Sequence, residues 1–327
     1  MMAAASARLL ADVGGTNARF AWQAAAGAPL QDVRTLPCAG HDSLEAAMRA
    51  YLAETAHPVP AQAAVGIANP VTGDRVQMTN HHWSFSIEAL RQALGFERLR
   101  VINDFTALAL ALPQLPADEL RQVGGGAASP GAPIALVGAG TGLGVSGLLP
   151  VGPRWLPLAG EGGHVSLAAE TPLEDAVLAV LRERHGRVSA ERALSGPGLR
   201  ALHHALGVVQ GQRGTPEDAP EAAVIVEAAL AGRDARCTQV LDLFCGWLGA
   251  VAGDLALTLG ARGGVFIGGG IVPRLGTAFD RSPFRARFEA KGRFASYLRE
   301  IPVQLILSPT SPALRGAAEA LEMPDGA

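Results

Sequence analysis

Two glycine-rich segments contain the residues best suited to bind a phosphate group. The first is D-V-G-G-T-N-A-R, residues 12–19, and the second is G-A-G-T-G-L-G, residues 138–144. Backbone N–H groups in a glycine turn can converge on phosphate oxygens because no Cβ blocks the approach. In the first segment, the Asp12 carboxylate could hold a hydrated Mg²⁺ while Thr16 and the turn amides hold phosphate. Each segment taken alone is also compatible with an ordinary hairpin turn.

The residues that follow the second segment argue against a dinucleotide-binding site there. Residues 142–147 match G-x-G-x-x-G, a pattern that binds pyrophosphate only where a helix begins next. Pro150 and Pro153 follow closely, and proline cannot continue a helix. The sequence therefore predicts a strand after the glycine turn rather than a Rossmann-type site.

Four polar side chains elsewhere could bind or activate a hydroxylated substrate. Asp104 follows a strand predicted at residues 100–102, where the strand gives way to a helix, and catalytic groups are common there in open α/β sheets. The alternative role of Asp104 is that of a helix N-cap. Glu161, His164 and Glu191 lie in glycine-rich segments and could hydrogen-bond the hydroxyl groups of a polyol. Single residues of these types are more often solvated surface.

The elements that must position these residues alternate along the chain, which predicts an α/β layer architecture. Short apolar runs across glycine turns predict one β-hairpin at residues 8–23 and a similar one at 134–149. Two similar halves with a phosphate loop in each would place a nucleotide in the cleft between them. The helix at 87–94 has Ser86 as its expected N-cap and Gly95 as its stop. Other predicted strands are 63–67, 100–102, 264–267 and 303–307, and other predicted helices are 44–55, 106–112, 173–184, 222–259 and 312–321.

Composition argues against several classes of protein. The 327 residues carry a net charge of −3 and no basic run, so no nucleic-acid partner is expected. Lys291 is the only lysine and lies in F-E-A-K-G-R, outside any P-loop or protein-kinase motif. No apolar stretch reaches the roughly 18 residues needed to span a membrane. Three widely spaced cysteines without a C-x-x-C pair predict reduced thiols and no structural zinc.

The same features predict the cellular location. Residues 1–5 contain no positively charged region, so a signal peptide is not expected. Together with the absence of a predicted membrane span, this indicates a cytoplasmic protein.

Six motifs in a fixed order resemble the bacterial glucokinase family of the ATP-dependent type. They are D-V-G-G-T-N-A-R-F, I-N-D-F-T-A, G-A-G-T-G-L-G, E-G-G-H-V, S-A-E-R-A-L-S-G-P-G and G-G-V-F-I-G-G-G-I-V-P-R. The segment at residues 68–85 is also similar to that family. The resemblance runs from about residue 9 to about residue 320, and its specificity comes from the order of the motifs rather than from any single one.

The resemblance implies a role for each matching position. Asp104 would be the general base that accepts the proton of the sugar 6-hydroxyl. Residues that would bind the sugar are Asn103, Asp104, Glu161, His164 and Glu191. Residues that would bind Mg²⁺ and ATP are Asp12, Gly14, Gly15, Thr16, Asn17, Gly140, Thr141, Gly142, Gly268, Gly269 and Gly270. Asp12 would hold the metal through water. The family has no zinc-binding cysteine cluster, and none is expected here.

The resemblance also implies a fold and an assembly. The family belongs to the sugar kinase/actin/Hsp70 ATPase superfamily, which implies two ribonuclease H-like domains around a central cleft. The smaller domain would comprise residues 1–113 and 305–327, and the larger one residues 114–304. The implied activity is ATP-dependent phosphorylation of glucose by a homodimer. The alternatives are a kinase of another hexose (mannose, fructose or an N-acetylhexosamine) and a non-catalytic sugar sensor.

Overall fold

The computed structural model describes residues 7–79 and 81–324. The signal-peptide prediction rests on residues 1–5 and lies outside the described residues. In the described part of the chain, the strands are β1 (Arg8–Val13), β2 (Asn17–Gln23), β3 (Leu30–Pro37), β4 (Gln62–Ile67), β5 (Arg75–Gln77), β6 (Ser84–Ser86), β7 (Arg98–Asn103), β8 (Leu120–Gln122), β9 (Ile134–Ala139), β10 (Leu143–Val151), β11 (Arg154–Ala159), β12 (Val265–Gly268) and β13 (Val303–Ile306). The α-helices are α1 (Leu44–Thr55), α2 (Ile87–Leu94), α3 (Asp104–Ala111), α4 (Pro172–His185), α5 (Ala190–Ala193), α6 (Gly196–Val209), α7 (Ala222–Leu230), α8 (Ala235–Leu259), α9 (Phe284–Glu289), α10 (Ala295–Glu300) and α11 (Ala313–Ala320).

The first of two compact units contains the residues up to Pro116, Val151–Ala159 and the residues from Ser308 onward. Its five-stranded sheet has the order β3-β2-β1-β4-β7. Strands β1 and β2 form the antiparallel hairpin predicted from the sequence, and β4 and β7 add to β1 in parallel. Buried side chains of β1, β2 and β4 pack with α1 to form the core of this unit.

The second unit contains Ala117–Pro150 and Gly160–Leu307. Its strands are ordered β10-β9-β12-β13-β8. Here β9 and β10 form the second predicted hairpin, and β12 and β13 follow in parallel. A glycine hairpin followed by parallel strands therefore occurs in both units. The division at residues 113 and 304 stays a prediction, and the units described here change instead at Pro116 and Leu307.

The predicted helix at residues 222–259 is wrong in one respect, because it is two helices. Helix α7 ends at Leu230, and Gly232 adopts a positive φ of 62° that favours glycine. Asp234 then caps α8, since its carboxylate accepts the N–H groups of Arg236 and Cys237. Residues 232–234 (Gly-Arg-Asp) therefore end one helix and cap the next. The apolar periodicity on both sides hides this signal in the sequence.

Helix α8 also corrects the expectation about membrane spans. Its length and composition are those of a helix that could cross a membrane, with a mean hydropathy of 1.6 in its most apolar window. However, 67% of that window is buried inside the fold. Trp247 at its centre is fully buried and donates its indole N–H to the carbonyl of Ala168. These contacts are those of a core helix.

Helix α3, which carries Asp104, is held by close contacts with small residues. A Cβ at Gly66 of β4 would lie 3.0 Å from the Cβ of Ala107. A Cβ at Gly316 of α11 would lie 1.6 Å from the Ala107 carbonyl oxygen. Since interiors are densely packed, glycine at these two positions lets α3 lie directly against the sheet and α11.

Candidate active site

In the first unit, the predicted phosphate loop is the turn between β1 and β2. Gly14 donates its N–H to the carbonyl of Asn17 at 2.9 Å, which closes the turn. Cys38 donates its N–H to the carbonyl of Thr16, which ties the turn to the end of β3. Thr16 is exposed and Gly15 is half-buried. The turn therefore has the backbone geometry of a hairpin with an accessible hydroxyl.

Asp12 lies at the end of β1, directly opposite Arg19 in the hairpin register. Its carboxylate is 3.3 Å from the Arg19 guanidinium, and the Asp12 side chain is 11% exposed. Burial raises the pKa of Asp12 above its usual range, against the lowering effects of a hydrogen bond from Ser311 and the charge of Arg19. Arg19 and Ser311 therefore compensate only part of the cost of burying the Asp12 charge.

The alternative role of Asp104 as an N-cap is wrong, because the cap of α3 is Asn103. The Asn103 Oδ1 atom accepts the N–H groups of Phe105 and Thr106. Asp104 is the first helical residue, and its Oδ1 atom accepts from Asn103 Nδ2 at 3.0 Å and from the Phe105 N–H at 2.9 Å. Asn103 thus fixes both the helix start and the orientation of the Asp104 carboxylate.

In the second unit, the predicted phosphate loop is the turn between β9 and β10. Gly140 donates its N–H to the carbonyl of Gly142 at 2.8 Å. Strand β10 begins at Leu143 and continues to Val151, so the structure confirms that a strand follows the glycine turn. No helix therefore begins directly after the glycine motif. This agrees with the prediction that the motif is not a Rossmann-type site.

The three polar residues of the second unit lie on two segments bonded to each other, with Glu161 and His164 in a short turn and Glu191 in α5. Glu161 accepts the His164 N–H through its carbonyl, in a short turn that packs on β10. The segment before Glu191 is bonded to this turn, since Ala190 donates its N–H to the carbonyl of Val165. The His164 Nδ1 and Glu191 Oε1 atoms are 4.0 Å apart. The structure thus brings His164 and Glu191 together.

A cavity of about 820 Å³ in the second unit adjoins the phosphate loop. It is large enough for a nucleotide, since ligand pockets typically measure about 300–1,000 Å³. The residues of the predicted site that line it are Gly140, Thr141, Glu191 and Gly270.

The remaining predicted glycines of this unit do not line the cavity and make room for neighbouring backbone or side chains. Gly268 pairs with Gly138 across β12 and β9. Gly269 has a φ of 80°, and a Cβ there would lie 2.3 Å from the Ala139 carbonyl oxygen. Gly142 faces Glu191 instead of the cavity. Gly268 and Gly269 thus shape the loop, and Gly270 borders the open space.

Three residues with a place in these sites were given no role in the sequence analysis. Arg192 and Arg274 line the cavity, and Ser311 hydrogen-bonds Asp12. Both arginines lie within the family motifs, in S-A-E-R and I-V-P-R, so the sequence could have identified them as site residues. Ser311 lies about 300 residues from Asp12, and no local pattern connects the two.

The described residues include no group of three or more metal-binding side chains. A single carboxylate is nevertheless a suitable protein ligand for Mg²⁺, which usually keeps several waters and binds substrate phosphates. Asp12 fits this chemistry, because its carboxylate lies beside a glycine turn that exposes Thr16.

The duplicated hairpin-and-parallel-strand topology defines an actin-like ATPase fold. Among solved structures, a glucokinase from an Antarctic psychrotroph superposes with a TM-score of 0.86 at 39% identity, covering 97% of this chain and 99% of that one. A ROK family glucokinase from Streptomyces griseus shares the fold at a TM-score of 0.62 and 20% identity, covering 96% and 98%.

The glucokinase family model matches residues 9–323. A protein of Aromatoleum aromaticum named glucokinase is 58% identical over 96% of this chain and 94% of its own length. One of Chromobacterium violaceum with the same name is 56% identical over 95% of this chain and 88% of its own. The chain belongs to the glucokinase family.

Proposed function

We propose that this protein is a glucokinase that transfers the γ-phosphate of ATP to the 6-hydroxyl of glucose. The observation that carries the proposal is the 58% identity, over nearly the full length of both chains, to a protein named glucokinase. Two glycine hairpins and a nucleotide-sized cavity support it, because phosphoryl transfer depends mainly on positioning and charge neutralisation.

The proposed chemistry assigns one task to each group of residues. Asp104 orients the sugar 6-hydroxyl and accepts its proton, a role worth roughly 10²–10⁴-fold in rate. Glu161, His164 and Glu191 bind other sugar hydroxyls, together with Asn103 Nδ2. The backbone amides of the two glycine turns bind phosphate oxygens, which can approach closely because glycine has no Cβ.

Asp12 is the residue that would hold Mg²⁺, with water and phosphate oxygens completing the coordination. When bound, this ion would neutralise charge on the phosphates. The raised pKa of Asp12 supports the assignment, since a desolvated carboxylate gains from a nearby cation.

The proposal also includes a cellular location and an oligomeric state. We assign the enzyme to the cytoplasm, as its composition predicts, and to a homodimer, as the family resemblance implies. Asp104, the proposed general base, belongs to the first unit, and the proposed adenosine-binding cavity belongs to the second unit. Size-exclusion chromatography with light scattering at micromolar concentration tests the dimer.

The function is tested by a coupled assay of hexoses with ATP and Mg²⁺. We expect glucose to give the highest kcat/KM among glucose, mannose, fructose and N-acetylglucosamine. The discrimination has a physical basis, since a site whose polar groups lose a hydroxyl partner rejects the analogue strongly. A higher kcat/KM for another hexose would identify that hexose as the substrate instead of glucose. The absence of turnover with every sugar would contradict the kinase assignment.

A further inference from the structure

Glu191 contacts the second phosphate loop as well as the candidate sugar residue His164. Its Oε2 atom accepts the backbone N–H of Leu143 at 2.9 Å, where the glycine turn enters β10. Its Oε1 atom faces His164 Nδ1 at 4.0 Å. The two oxygens of one carboxylate thus point to two different parts of the site.

The loop is shaped to receive this carboxylate. A Cβ at Gly142 would lie only 2.4 Å from Glu191 Oε2, so any larger residue at 142 would displace the carboxylate. The far end of the same motif also holds the loop, since Gly196 donates its N–H to the Gly140 carbonyl at 2.8 Å. The motif at residues 189–198 therefore holds the loop at two points.

The backbone of Glu191 is itself fixed. The Ser195 hydroxyl donates to the Glu191 carbonyl at 2.8 Å, and Ser195 Oγ accepts the N–H of Gly198 at the start of α6. Ser195 is 2% exposed. Because its main chain is anchored on both sides, Glu191 has little freedom beyond its own side-chain rotation.

We propose that Glu191 is a positioning residue that couples sugar binding to nucleotide binding, an inference that rests on the function proposed above. Oε2 holds the phosphate loop in its binding conformation, and Oε1 receives a sugar hydroxyl. A hydroxyl donated to Oε1 restricts rotation of the carboxylate and so keeps Oε2 on the Leu143 N–H. Sugar therefore raises nucleotide affinity, and by reciprocity nucleotide raises sugar affinity by the same factor.

The test is calorimetric titration of AMP-PNP with Mg²⁺, with and without glucose. For Glu191→Ala without sugar, we expect AMP-PNP affinity to fall about 10- to 100-fold, the range for losing a charge-assisted hydrogen bond. Glucose should then no longer raise AMP-PNP affinity. The control is Glu161→Ala, for which we expect weaker glucose binding and an unchanged sugar-free AMP-PNP affinity. Unchanged sugar-free AMP-PNP affinity in Glu191→Ala would overturn the proposal.

Glu191→Gln separates the two contacts and covers the case in which the alanine variant does not fold. Its amide oxygen can still accept the Leu143 N–H while its NH₂ group replaces Oε1. We expect near-normal sugar-free AMP-PNP affinity, with the glucose effect on it lost. A glucose effect equal to that of the wild type would contradict the coupling role.

A double-mutant cycle with Gly142→Ala tests the contact itself. In the wild-type background the new methyl group displaces the carboxylate and should lower AMP-PNP affinity, and in the Glu191→Ala background it should lower it much less. Additive effects would show that the two residues act independently and would overturn the proposal. The titrations without sugar need no turnover, so their outcome is separate from whether glucose is the substrate.

Discussion

Asp12 combines a buried position with a charge that the protein alone compensates only in part. Arg19 and Ser311 both favour the ionised carboxylate, yet burial dominates and raises its pKa. A carboxyl group whose folded-state pKa is raised stabilises the fold at low pH, and this stabilisation is lost as pH rises through the folded pKa. Burial therefore disfavours the ionised form of Asp12 in the protein without nucleotide.

Asp12→Asn should stabilise the nucleotide-free protein at pH 7, because it removes the desolvated charge and keeps an acceptor for Ser311. We expect a gain of about 1 kcal/mol, or roughly 1–2 °C in the unfolding midpoint of a chain of this length. The gain should shrink towards pH 4, where the wild-type carboxyl takes up a proton. Thermal unfolding between pH 4 and 8 measures this, with exposed Asp42→Asn as the control. A lower midpoint than the wild type at pH 7 would refute the account.

At the scale of the structural element, α3 is the part of the fold that sets the position of Asp104. Asn103 fixes where the helix begins, and Gly66 and Gly316 let it pack without a gap. A displacement of α3 would move the Asp104 carboxylate with it, and small displacements of a catalytic group can be costly in rate.

Gly316→Ala should therefore reduce both stability and turnover. The new methyl group would lie 1.6 Å from a backbone oxygen of Ala107, which a side-chain rotation cannot relieve. We expect a loss of about 1–3 kcal/mol in the free energy of unfolding and a lower kcat for glucose. Gly40→Ala is the matched control, since its nearest contact would be 3.6 Å from Pro37. Equal denaturation midpoints and kcat values for the two variants would be evidence against the packing argument.

Most elements that local signals define were predicted well, whereas contacts between distant residues were not predicted. Ser86 and Gly95 mark the ends of α2, and both hairpins follow from short apolar runs across glycines. The break between α7 and α8 was missed because apolar periodicity continues on both sides of Gly232. The contacts of Glu191 with Leu143 and of Ser311 with Asp12 join residues far apart in sequence, so no spacing rule could reveal them.

For the protein as a whole, the proposed phosphate chemistry assigns no role to lysine. The single lysine, Lys291, forms an ion pair with Asp254 at 2.7 Å and lies 3.6 Å from Glu170. In the proposed mechanism, backbone amides of two glycine turns and the Asp12 carboxylate take the part that a P-loop lysine has elsewhere. A chain composed almost without lysine can therefore carry this activity.

In the proposed mechanism, Asp104 is the general base in the phosphorylation of glucose. The most direct test is to measure kcat for glucose, with saturating ATP and Mg²⁺, in the wild type and in Asp104→Asn. Asparagine keeps the oxygen that accepts from Asn103 and Phe105 and removes only the basic group. We predict clear turnover by the wild type and a kcat about 10²–10⁴-fold lower in the variant, with AMP-PNP affinity retained. A variant kcat within a few-fold of the wild type would contradict the assignment.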